Sequence, residues 1–140
     1  MFKRILLAVD GSEHASRAAK VAAEMAHCME ATEVRVVVAY GPIPPFLGEP
    51  NLQIAINAHL NEAQDVLKKA VELVDNSHID VHTELIEADA AEAILDVAKT
   101  RKSDVIVMGS RGLGRLAGLL LGSTSQKVVS HAPCPVLIVR

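Results

Sequence analysis

Aromatic side chains are nearly absent from this 140-residue chain: Phe2, Tyr40 and Phe46 are the whole set, and there is no tryptophan. Without aromatics there is no stacking platform for single-stranded nucleic acid, so nucleic acid is not expected as a partner. An aromatic sandwich around a flavin is ruled against for the same reason. Cysteine is scarce: Cys28 and Cys134 lie far apart and form no metal-ligand spacing. In a reducing compartment they are expected to be inert, buried thiols. No apolar run approaches the ~18 residues of a membrane span, so no membrane partner is expected. The opening Met1-Phe2-Lys3-Arg4 runs straight into apolar residues 5–9. That stretch is too short for a signal-peptide core and no small-residue cleavage site follows, so a cytoplasmic protein is expected. Acid disappears toward the C-terminal end. Residues 1–104 carry 10 Lys+Arg and 17 Asp+Glu, whereas residues 105–140 carry Arg111, Arg115, Lys127 and Arg140 and no acid. An acid-free quarter in a chain of net charge -3 suggests a local anion site. A buried C-terminal strand, which excludes acids anyway, gives the same pattern.

Hydrophobic residues make up 50% and charged residues 22%, a composition that folds. The length fits one domain over residues 1–140, able to bury roughly two thirds of its unfolded surface without a disulfide or metal. Residues 3–9 form a short apolar run closed by Asp10-Gly11-Ser12, the pattern of a buried strand. Ser12 suits a helix N-cap. Behind it Ala15, Ala18, Ala19, Ala22, Met25, Ala26 and Met29 recur at helical spacing. Glu33–Tyr40 reads as the second strand. Four prolines and two glycines in residues 41–50 exclude helix and interior strand, leaving a lid or a long connection. A long helix follows over Asn51–Val74, then a more polar strand over Asp80–Glu87, expected at a sheet edge. Asp89 and Glu92 have capping-box spacing and open a helix over residues 90–102. Residues 104–108 form the fourth strand. Ser123–His131 is a short helix stopped by Pro133 and Pro135, and Val136–Val139 is the fifth strand.

Strands alternating with helices predict an α/β fold: a doubly wound, five-stranded parallel sheet in the order 3-2-1-4-5 with helices on both faces. Such sheets bind ligands beyond the carboxyl ends of the strands, where the order reverses. In that order strands 1 and 4 are neighbours, and the two loops of unusual chemistry, Asp10-Gly11-Ser12 and the segment from Gly109, meet in one crevice.

Five of the eight glycines fall between positions 109 and 122. Glycine lets backbone N–H groups approach a ligand closely and tolerates positive φ, so a branched side chain at Gly122 is expected to occupy ligand space and to forbid the φ needed there. Gly122-Ser123-Thr124-Ser125 opens a helix whose N–H groups and dipole favour phosphate, with three hydroxyls as extra donors. Arg111 and Arg115 add charge. Together these read as a phosphate cradle; the bland alternative is a glycine-rich surface loop with a serine cap. Asp10 likewise suits a ligand-facing carboxylate or simply the turn of an Asp-Gly step. There is no Gly-Lys-Ser/Thr, so no Walker-type loop, and a single glycine follows strand 1, so the dinucleotide fingerprint fails. His78 and His82 are expected to be exposed rather than a metal pair. The apolar run over residues 116–121 serves a partner or folds back on the domain's own helices.

The spacing Gly109-x2-Gly112-x9-Gly122-Ser123 resembles the nucleotide-binding signature of the universal stress protein family. The resemblance extends to the opening Ile5-Leu6-Leu7-Ala8-Val9-Asp10-Gly11-Ser12, to Val105-Ile106-Val107-Met108-Gly109, and to the ending Ala132-Pro133-Cys134-Pro135-Val136-Leu137-Ile138-Val139. It is strongest to the small, ATP-binding members. It implies that Asp10, with Ala8 and Val9, lines the adenine and ribose side, and that Ala39 meets the adenine edge through its backbone. It implies that Met108 and Gly109 begin the ligand loop, that Arg111 and Gly112 lie near ribose and phosphate, and that Gly122, Ser123, Thr124 and Ser125 hold the phosphates. It also implies a homodimer joined along strand 5, where Val136, Leu137, Ile138 and Val139 offer an edge with no internal charge or proline. The expected function is an adenine-nucleotide-dependent binding module or switch in a stress response, with ATP or another adenine nucleotide, alone or together with Mg or Mn, as the ligand. A slow ATPase or autokinase and a nucleotide-independent scaffold are the alternatives. No catalytic residue and no protein-borne metal site is assigned.

Overall fold

Why each apolar run is a strand is visible in what lies on its two faces. The computed structural model describes residues 1–42, 44–75, 78–112 and 121–140. Strands β1 (Arg4–Ala8) and β4 (Val105–Gly109) occupy the middle of the sheet, and from Ile5 and from Val105 onward every residue of both is buried. A strand covered on both faces has no solvent side to mark with polar residues, hence the unbroken apolar sequence. Successive side chains still alternate. Ile5 and Leu7 pack with Val34, Val36, Val105 and Val107 beneath one pair of helices. Leu6 and Ala8 pack with Val37, Ile106 and Met108 beneath the other pair.

The first helix pair is α1 (Glu13–Cys28) and α2 (Asn51–Val74). Helix α1 buries Ala15, Ala18, Ala19, Ala22 and Ala26, a small-residue stripe that lets its axis lie close to the sheet. The predicted cap is present: Ser12 Oγ accepts from the Ala15 N–H at 3.2 Å. The second pair is α3 (Ala90–Thr100) and α4 (Ser123–His131). Asp89 caps α3 by accepting from the Glu92 N–H at 3.2 Å. The Glu92 carboxylate instead faces Lys127 Nζ of α4 at 3.7 Å, so the reciprocal half of the capping box is replaced by an ion pair between helices.

With β2 (Glu33–Tyr40), β3 (Asp80–Glu87) and β5 (Val136–Val139), the sheet runs β3-β2-β1-β4-β5. All four pairings are parallel. This is the predicted order, and it places the reversal between β1 and β4. The polar strand β3 is an edge; at its lower end Arg35 of β2 joins Glu33 at 2.8 Å and Glu84 at 3.5 Å. His82 Nε2 stands 4.0 Å from Glu33. Among the described residues, no cluster of three His, Cys, Asp or Glu side chains could hold a metal ion. No described helix is long and apolar enough to cross a membrane.

Several boundaries move. Strand β1 begins at Arg4 rather than Lys3, β4 runs on to Gly109, and α3 ends at Thr100. The proline-rich stretch holds one 3-10 turn, Pro45–Leu47, because proline suits the first position of a helical turn. Cys28 is exposed and Cys134 only half-buried, against the expectation of two buried thiols. Cys28 sits in the last turn of α1, outside the alanine stripe. The Cys134 thiol is nonetheless pushed up from its ordinary pKa by desolvation and, secondarily, by the Asp104 carboxylate. Strand β5 is half-buried along its whole length, as a lone edge must be. Arg115 and residues 116–120 lie outside the described residues.

Helix α2 is 24 residues long, or ~36 Å, yet its first buried residue is Ala63. Only its second half lies on the sheet. Gly11, at φ 87°, marks the crossing: a Cβ there would stand 3.0 Å from Val66 Cγ2.

Candidate nucleotide site

The carboxyl ends of β1 and β4 diverge into a cleft of ≈ 270 Å³. Three strands supply its floor. Ala8, Val9 and Asp10 come from β1 and the turn after it, Val37 and Ala39 from β2, and Met108 and Gly109 from β4. Arg111 and Gly112 form one wall, and Gly122, Ser123, Thr124 and Ser125 close the far end. All twelve residues singled out in the sequence therefore line one cavity. Ala15, Val37, Ala90 and Ile94 line it as well and carry no sequence signal. They are small or aliphatic residues indistinguishable from core until the helices are docked.

The cleft has an apolar and a polar half. The apolar half is a slot among Ala8, Val37, Ala39, Ala90, Ile94 and Met108. Its edge carries backbone groups. The β1–β2 ladder ends at Ala8 opposite Val37, followed by the Val9 N–H donating to the Val37 carbonyl at 3.1 Å. Alternate residues of a strand turn their peptide groups to opposite neighbours, so Ala39 turns its own toward the β1 side, past the point where β1 has ended. An amide donor and acceptor at the rim of an apolar slot suit a flat heteroaromatic ring.

The polar half is the start of α4. The N–H groups of Ser123, Thr124 and Ser125 have no carbonyl four residues back within the helix. The cap position, Gly122, supplies no side chain. The three hydroxyls do not act alike. Ser125 is buried, and its Oγ donates to the Ser110 carbonyl at 2.9 Å. Thr124 is half-buried and Ser123 exposed, so these two stand at the lip. Arg111 is the cation and Asp10 the carboxylate among the described lining residues. Asp10 Oδ1 accepts from the Ser12 N–H at 2.9 Å, so Asp10 does form the Asx turn. Its other oxygen faces Gly112.

The glycines have separate reasons. A Cβ on Gly112 would come 2.6 Å from Asp10 Oδ2. A Cβ on Gly109 would come 2.7 Å from His14 Cβ and 2.9 Å from the His14 carbonyl carbon. Both positions are closed by the protein itself. Gly122 is different. Its φ of -72° and ψ of 168° suit any residue, and its Cβ position lies 3.5 Å from the nearest atoms, an ordinary contact. The need for positive φ expected at Gly122 is not met. A side chain there would stand against the backbone of Ser110, Arg111 and Gly112, beside the wall of the cleft.

The universal stress protein family model matches residues 1–140. The chain belongs to the universal stress protein family. It is 50% identical over 140 residues to a universal stress protein of Thermus aquaticus, each chain covered in full. Its fold superposes on a universal stress protein from Lactobacillus plantarum with a TM-score of 0.87 at 28% identity, covering 99% of this chain and 98% of the other. A further family structure, solved in complex with cAMP, matches at a TM-score of 0.67 and 28% identity over 99% of this chain and 97% of that one.

Proposed function

We propose that this chain is a single nucleotide-binding domain that holds an adenine nucleotide, ATP first among them, and acts in the cytoplasm as a nucleotide-dependent module of a stress response. One observation carries the reading: an apolar slot rimmed by the free backbone edge of Ala39 opens onto the uncapped first turn of α4. Base and phosphate need these two environments, side by side. The volume of ≈ 270 Å³ is near the lower end of ligand pockets, roughly 300–1,000 Å³, and suits a nucleoside buried in the slot with its phosphates at the open lip. A relative at 28% identity in complex with cAMP supports the same ligand class.

Asp10 and Arg111 divide the remaining work. The Asp10 carboxylate faces the ribose hydroxyls, and Arg111 adds charge beside the phosphates. Asp10 already accepts the Ser12 N–H through one oxygen and stands against Gly112 with the other, so it is badly placed to activate water at a terminal phosphate. That favours binding over hydrolysis. Among the described residues nothing resembles a carboxylate cage for Mg²⁺ or Mn²⁺. Such an ion would ride on the phosphate oxygens and water.

The module works as a homodimer along β5. Val136, Leu137, Ile138 and Val139 are half-buried on an edge that has neither charge nor proline to deter pairing. Sedimentation equilibrium is expected to give twice the chain mass, and Ile138→Lys to return the monomer.

Calorimetric titration of adenosine, AMP, ATP and cAMP, with and without Mg²⁺, tests the reading. Affinity is expected to rise from adenosine to AMP, and Mg²⁺ to matter more for ATP than for AMP. Failure to bind any of the four refutes the assignment.

A further inference from the structure

Ser110 is 2% exposed and stands just beyond β4, behind the wall of the cleft. It does not line the cavity, yet three elements meet in it. Its N–H donates to the Val139 carbonyl of β5 at 2.8 Å. Its carbonyl accepts from the Gly122 N–H at 2.7 Å and from Ser125 Oγ at 2.9 Å, the one Ser125 hydroxyl proton being shared with the Gly122 carbonyl at 3.0 Å. Its own Oγ lies 2.9 Å from His14 Nδ1 in the first turn of α1.

The Ser110 carbonyl therefore ties the start of α4 to the end of β4. Gly122 and Ser125, at the two ends of the helix's first turn, both bond to it. The direction of that carbonyl decides where the unpaired N–H groups of Ser123 and Thr124 stand. His14 is itself fixed, because its Cβ and carbonyl carbon lie against Gly109 with no room for a methyl between them. The root of the imidazole is thus fixed, and the buried hydroxyl has a strong reason to stay on the ring, since an unsatisfied buried hydroxyl is costly.

We propose that Ser110, held by His14, is a positioning residue for the phosphate end of the cleft. It sets the stance of the α4 N-terminus, and through it the affinity for phosphate-bearing nucleotides, without touching the ligand. The inference rests on the nucleotide-binding reading of the cleft. The base slot, built from Ala8, Ala39, Ile94 and Met108, does not depend on this link.

Adenosine, AMP and ATP are titrated into the full chain and into Ser110→Ala, His14→Ala, His14→Asn and the double alanine variant, with circular dichroism as the folding control. Ser110→Ala and His14→Ala are expected to weaken AMP and ATP by ~3–10-fold, the scale of one lost hydrogen bond, with adenosine unchanged within about twofold. The double variant loses no more than either single one, because both remove the same link. His14→Asn restores AMP affinity, since its amide stands where Nδ1 stood. If Ser110→Ala fails to fold, His14→Ala and its asparagine rescue carry the test. Equal losses for adenosine and AMP, full additivity in the double variant, or no loss at all overturns the proposal. A parent chain that binds none of the three overturns the nucleotide reading and this inference together, whereas a parent that binds all three beside variants that keep AMP affinity overturns this inference alone.

Discussion

Replacing Gly112 with alanine places a methyl carbon 2.6 Å from Asp10 Oδ2, well inside ordinary contact. The cheapest relief is rotation of the Asp10 side chain, because the new methyl is fixed to the backbone whereas the carboxylate can turn. Rotation breaks the 2.9 Å hydrogen bond that Oδ1 accepts from the Ser12 N–H. A hydrogen bond to a charged group contributes about 1.5–3 kcal/mol, which is the expected loss of stability. For a chain of this length that corresponds to a fall in Tm of roughly 4–12 °C. Chemical denaturation of the parent, Gly112→Ala, Asp10→Ala and the double variant measures it. With Asp10 already truncated the methyl meets no carboxylate, so Gly112→Ala should then cost under ~0.5 kcal/mol. If it costs as much in that background as in the parent, the Asp10 contact is not the reason for glycine at position 112. Nucleotide affinity falls in both single variants, because Asp10 leaves the place from which it faces the ligand.

Gly109→Ala is expected to be worse for the fold than Gly112→Ala, since the clash is with the backbone of α1 at 2.9 Å and no side chain can turn away; denaturant unfolding should show a loss of at least about 1–3 kcal/mol. Gly122→Ala has the opposite signature: stability within ~1 kcal/mol of the parent, because the cap conformation suits any residue, and weaker AMP and ATP binding by calorimetry. Equal AMP affinity would mean that the phosphates do not pass Gly122. Mass-resolved maleimide labelling should modify exposed Cys28 before Cys134, and Cys134 should need a higher pH than an ordinary thiol, because burial favours its neutral form.

Much of this molecule is legible without its structure. The unbroken apolar runs of β1 and β4 can only be strands covered on both faces, and their alternation with helices admits few topologies. Ser12 and Asp89 mark helix starts because their side chains bond to backbone only three residues ahead. Gly122-Ser123-Thr124-Ser125 announces a helix start free of acid, although its cap residue has no side chain to bond the backbone. These signals concern neighbours in the chain, and neighbours in the chain are what a sequence displays. Other features are contacts between residues far apart in the chain, and they emerged only on folding. Gly112 is glycine because Asp10 stands against it, and Gly109 because α1 does. Val37, Ala90 and Ile94 join the cleft only once helices and strands are docked, since an aliphatic side chain looks the same facing a ligand or a core. Ser110 looks like any serine in a loop until the sheet brings Val139, His14, Gly122 and Ser125 to its four polar contacts. The same docking separates three adjacent hydroxyls, turning Ser125 inward and leaving Ser123 and Thr124 at the lip, a distinction made by burial and not by residue type.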